Sequence, residues 1–100
     1  MPQEQTAVKE HQHVEVKPPR RFKVIIYNDD VTTMDFVVEV LMKIFLKTST
    51  EAYILMLKAH QEGKAVVGTY SYDTARTRVE TTTQEARYQG FPLMVEYQPE

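Results

Sequence analysis

Residues Phe22 to Val38 read FKVIIYNDDVTTMDFVV, and the change of rhythm inside this stretch decides the fold. Phe22-Lys23-Val24-Ile25-Ile26-Tyr27 is dense in β-branched and aromatic residues, which suit a pleated, half-buried surface, so it predicts a strand. Asn28-Asp29-Asp30 stops that strand, because short polar side chains bond their own backbone and favour a turn. Thr32 and Asp35 then stand at capping-box spacing and open a helix predicted to run to about Leu46. Along it Val37, Val40, Leu41, Ile44 and Phe45 recur at i, i+3, i+4, i+7 and i+8, one apolar stripe.

The signals continue downstream. Thr48 with Glu51 repeats the capping spacing, Gly63 supplies a helix stop, and Ala52, Leu55, Met56 and Ala59 form the stripe between them. Ala65 to Tyr72 predicts a second strand with Gly68 at a bulge. Asp73 to Gln89 predicts a third helix resting on Ala75, Val79 and Ala86, although Thr81, Thr82 and Thr83 are poor helix formers. Leu93 to Tyr97 closes the chain as a strand. Three strands cannot cover themselves, so the expected fold is α+β: a small βααβαβ sandwich, its three-stranded sheet packed against three helices.

One hundred residues suffice for one compact domain. Upstream of Arg21 the composition changes to Gln, Glu, Lys and His with few apolar residues, which cannot offset ordering entropy. Residues 1–20 are therefore expected to be a disordered extension and 21–100 the core domain. The absence of cysteine excludes thiolate chemistry and cysteine-bound zinc. A formal net charge of −2 argues against a nucleic-acid binder, and no apolar run reaches the roughly 18 residues of a membrane span. The amino-terminal stretch has no apolar core of the secretory kind, so the cytoplasm is the expected compartment.

A few residues have the chemistry of a site. Asn28, Asp29 and Asp30 offer an amide and two carboxylates, suited either to a cation or hard metal or to a simple Asx turn. Met56 and His60, at i and i+4, share one helix face, either as a pocket with one polar anchor or as a histidine resting on the helix dipole. Met34 is either core filler or a specificity element. His11 and His13 lack a third ligand for a metal. The three glycines are isolated, so no phosphate loop or nucleophile elbow is present.

The order of these features resembles the ClpS family of adaptors. The strand with Asn28-Asp29-Asp30, Thr32, Met34-Asp35 and Phe36-Val37 resembles the family's first block, and Met56-Leu57 with His60 and Gly63-Lys64-Ala65 its second. Pro92-Leu93 falls where the family has its last pocket leucine. The resemblance implies a non-enzymatic, monomeric module, without metal or cofactor, that binds proteins whose first residue is Leu, Phe, Tyr or Trp. It would deliver them to the unfoldase ClpA and the peptidase ClpP. It implies that Asn28, Asp30 and His60 bond the substrate's α-ammonium with Asp29 nearby, and that Thr32 holds the loop. Met34, Val37, Met56, Ala59 and Leu93 would wall the pocket, and Asp73 and Arg78 would touch the unfoldase. Val31 stands where an aromatic is common, Thr33 where proline is typical, and Ala59 where valine is frequent. The loss of proline is expected to loosen the loop. A metal-dependent hydrolase using Asp29, Asp30 and His60 is the alternative, and a purely structural interaction domain a third reading.

Overall fold

The computed structural model describes residues 17–100. Its elements are β1 (Arg21–Tyr27), α1 (Met34–Lys43), α2 (Ser49–Glu62), β2 (Lys64–Ser71), α3 (Tyr72–Tyr88) and β3 (Val95–Pro99). The strands form one antiparallel sheet in the order β2-β1-β3. The expected α+β arrangement is therefore the observed one. Most of the amino-terminal extension, with His11 and His13, lies outside the described residues, while Lys17–Arg20 has no regular secondary structure.

Alternation along β1 explains the layering. Val24 and Ile26 are fully buried beneath the helices and pair across the sheet with Tyr97 and Val95 of β3. Lys23 and Tyr27 face the opposite side, where Lys58 and Glu62 of α2 line a shallow depression with Lys23 and Ile25. On β2 the register slips between Val24 and Ile25, so that Val67 is extra and both it and Ala65 reach the core. The predicted bulge is present beside Gly68, which itself pairs with Val24. A Cβ there would come within 2.9 Å of the Tyr70 hydroxyl, which lies over the glycine.

Small residues set the helix positions. Ala52 and Ala59 on α2, and Ala75 and Ala86 on α3, are buried and let both helices approach closely. Within α3 the hydroxyls of Thr81 and Thr82 donate to the carbonyls of Thr77 and Arg78 four residues back, at 2.8 Å in both cases. Thr82 is fully buried by this means without an unsatisfied hydroxyl.

Three boundaries differ from expectation. The α1 cap is Thr33, not Thr32: Thr33 Oγ1 accepts from Phe36 N at 3.1 Å, while Thr32 is committed to Asp29. β3 begins at Val95 because Phe91 to Met94 is occupied in closing the site described below. α1 also ends at Lys43, earlier than Leu46, and the chain turns through a left-handed Leu46 with φ 57°. Helix ends prefer glycine in that conformation, because a Cβ there crowds the following carbonyl. Leu46 is 69% exposed, so burial of its side chain does not offset the crowding. Replacing Leu46 with Gly relieves roughly 1–2 kcal/mol of strain and adds roughly 0.5–1 kcal/mol of unfolded-chain entropy. Leu46→Gly is expected to raise the urea midpoint slightly with an unchanged slope; a lower midpoint would show that the exposed leucine packs usefully.

Candidate functional site

The connection from β1 to α1 builds one wall of a cavity, and the C-terminal half of α2 builds another. Asn28 N–H donates to the carbonyl of Gly63 at 2.9 Å, which ties the acidic loop to the end of α2. Gly63 caps that helix in the left-handed region, φ 91°, with its own N–H on Ala59 O at 2.8 Å. The third wall is the segment before β3, pinned where Tyr27 N–H donates to Met94 O at 3.0 Å.

The cavity between them, open to solvent, has a volume of about 230 Å3. All ten residues expected at the binding site line it: Asn28, Asp29, Asp30, Thr32, Met34, Val37, Met56, Ala59, His60 and Leu93. Ile26 and Tyr27 line it as well, and sequence reasoning missed them because both were read as strand residues. The volume is below the roughly 300 Å3 at which drug-sized sites begin, so it suits one large side chain and its backbone terminus. Leu93, Ala59 and Met56 are buried and form apolar walls, while Met34 is 45% exposed and stands at the rim, which removes the core-filler reading.

The acidic loop divides its polar groups. Asp29 Oδ1 accepts from Val31 N at 2.8 Å and Thr32 N at 2.7 Å, and Oδ2 accepts from Thr32 Oγ1 at 2.7 Å. Partial burial alone would raise the Asp29 pKa. The bonds from Thr32 and Val31, aided by the positive charge of Arg87, reverse that and hold the carboxyl below its ordinary value of 3.8. The loosening expected from the missing proline is thus countered by this network and by the Thr33 cap. Among the described residues, no hydrogen bond engages the side chains of Asn28, Asp30 or His60. Three acceptors are therefore left at one cavity, beside its apolar walls.

A metal reading of Asp29, Asp30 and His60 does not fit this donor set. Both Asp29 oxygens are already engaged, and among the described residues no group of three or more His, Cys, Asp or Glu is placed to hold an ion. Asp73 and Arg78 are elsewhere, lining a shallow depression at the start of α3 with Thr74 and Thr77. The Arg78 guanidinium rests 5.2 Å from the Tyr70 ring centroid. Sequence reasoning also passed over Arg87, whose Nη1 donates to Phe91 O at 2.8 Å and Leu93 O at 2.9 Å. Its position in the last turn of a helix was the available signal. On the open sheet face the Tyr27 hydroxyl donates to Glu96, a bond that raises the phenol's pKa.

Comparison with known proteins agrees with this geometry. A family model described as "ATP-dependent Clp protease adaptor protein ClpS" matches residues 17–96. The "ATP-dependent Clp protease adapter protein ClpS" of Acetivibrio thermocellus is 46% identical over 97 residues, spanning 97% of this chain and 98% of the relative. The protein of the same description from Wolinella succinogenes is 54% identical over 89 residues, 89% of this chain and 85% of its own. The solved structure of Agrobacterium tumefaciens ClpS2 bound to L-phenylalaninamide superimposes with a TM-score of 0.80 at 36% identity. It covers 83% of this chain and all of that one.

Because the folded Asp29 carboxyl titrates below its ordinary value, its contribution to stability is complete above about 4 and is lost as pH falls through the depressed pKa. Asp29→Asn cannot accept from Thr32 Oγ1 through its amide nitrogen. Melting curves from pH 6 downward should therefore show a lower starting Tm in the variant and a shallower acid decline than in the parent. Parallel declines would place the acid-sensitive group elsewhere.

Proposed function

The chain belongs to the ClpS family of ATP-dependent Clp protease adaptors, and from that premise we propose that its cavity binds the free amino terminus of proteins beginning with a bulky hydrophobic residue. The family works as an adaptor and not as an enzyme. The observation that carries the finer reading is the meeting of uncommitted Asn28, Asp30 and His60 with apolar Val37, Met56, Ala59 and Leu93 around one small cavity. The A. tumefaciens protein supports it, since L-phenylalaninamide presents a free amino group and one aromatic side chain.

The chemistry is complementary. An α-ammonium carries three donors and one positive charge. The Asn28 amide oxygen, the Asp30 carboxylate and a neutral His60 imidazole supply three acceptors, of which Asp30 also supplies the countercharge. An internal amide has neither the charge nor the spare donors, so selectivity for a chain end follows. The apolar walls supply about 1.5–3 kcal/mol for one large first side chain. Asp29 and Thr32 serve this clamp by shaping the loop.

Delivery follows from the same reading. A ClpA-type unfoldase feeding the ClpP peptidase is the partner, Asp73 and Arg78 form part of its contact surface, and the monomer acts in the cytoplasm. Residues 1–20 serve delivery and not the pocket. Among the described residues, no helix is long and apolar enough to cross a membrane.

Two measurements test the pocket. A Phe-first peptide should bind, and its Nα-acetylated form should bind at least about tenfold more weakly, since charged hydrogen bonds contribute roughly 1.5–3 kcal/mol. Equal affinity for the two forms would overturn the amino-terminus reading. Met34, at the rim on the first turn of α1, is placed to exclude β-branched first residues. Met34→Ala should accept Ile- and Val-first peptides while losing only a few-fold for Leu and Phe. An unchanged profile in isothermal titration would remove Met34 from the specificity determinants.

A further inference from the structure

Leu93 contributes a pocket wall from an irregular segment, Phe91 to Met94, whose ends are held by Phe91 N–H on Ala86 O at 2.8 Å and by Tyr27 N–H on Met94 O, while Pro92 and Leu93 between them make no backbone–backbone bond. Backbone of that kind keeps its place only if its carbonyls find partners. Two of them, on Phe91 and Leu93, converge on the single Nη1 of Arg87 at 2.8 and 2.9 Å. Between them Pro92 has no N–H to offer. At one end the Phe91 ring packs 5.0 Å from that of Phe36, and at the other Met94 O receives Tyr27 N–H. The middle, which carries the wall, depends on Arg87.

We propose that Arg87 is a positioning residue for the first-residue pocket, clamping Phe91 and Leu93 so that the Leu93 side chain forms its wall. A guanidinium suits this role because its planar donors are already organised and little rotamer freedom is lost per bond. Its place in the last turn of α3 is also where a cation is favoured by the helix carbonyls. The same charge acts on Asp29, so one side chain supports both the apolar wall and the loop that carries the ammonium acceptors.

The ligand half of the test rests on the amino-terminus reading; the other half does not. Arg87→Met keeps the aliphatic stem and removes the donors. Without ligand, amide exchange at Tyr27, whose bond ends on Met94, should accelerate about tenfold. Exchange at Asn28, whose bond ends on Gly63, should not. With ligand, affinities are measured for two peptides that differ only in a first Phe or first Ala. The variant should lose about tenfold for Phe and little for Ala, and Arg87→Lys, which keeps a multi-donor cation, should recover part of the ratio. Unchanged Tyr27 exchange would overturn the proposal, as would equal acceleration at Tyr27 and Asn28 or an unaltered Phe-to-Ala ratio. If the parent binds acetylated and free peptides alike, the ammonium reading fails, and the exchange comparison alone decides whether Arg87 holds the segment.

Discussion

The bond from Asn28 N–H to Gly63 O joins two parts of the chain that local preferences would leave independent. β1 must end in a polar loop and α2 must end in a cap, but neither requirement brings them together. Gly63 does so by turning left-handed, so that one residue both stops α2 and starts the run into β2. The pairing of Tyr27 with Lys64 continues the same junction into the sheet. A Cβ at position 63 would meet nothing within 4 Å, so the constraint is conformational and not one of space. Because this junction is fixed, His60 and the acidic loop face a common cavity.

Adjacent carboxylates in that loop have different work because of one hydroxyl. Thr32 donates through both its amide and its side chain to Asp29, which turns that residue inward as a structural anion. Asp30 is left exposed with no such bonds. Two free neighbouring carboxylates would repel each other and hold a diffuse cation; one fixed and one free give a directional site. The loop is thus preorganised by its own backbone amides, so that a ligand need not order it on arrival.

Most of this was visible in residue order. The strand at Phe22–Tyr27, the Thr48–Glu51 capping box, the bulge in β2 and the cavity-lining set follow from periodicity, turn chemistry and the family resemblance. What escaped was decided by competition among near-equivalent groups. Thr32 and Thr33 are both competent caps, and only the geometry of Asp29 assigns one to the loop and the other to the helix. Leu93 looked like strand because its alternation with Val95 is correct, but its backbone carbonyl was already taken by Arg87. Arg87 offered only its place in the last turn of a helix, which does not separate it from a surface arginine, since its partners are carbonyls that every residue possesses. The helix over Asp73–Gln89 was read correctly through its threonine run, and what propensity could not show is the back-bonded hydroxyl that satisfies buried Thr82.

The slip in register on β2 has a bearing on how this molecule behaves in a crowded solution. β2 and β3 are both edges of the sheet, each presenting a row of backbone donors and acceptors to any extended chain that drifts past. An adaptor of a protease works among unfolding polypeptides, where such strands are abundant. The extra residue at Val67 breaks the regular spacing of the β2 row, and Pro99 deprives the end of β3 of a donor. Neither edge therefore offers a long uninterrupted template, and unfolded cargo is discouraged from adding itself to the sheet as a fourth strand.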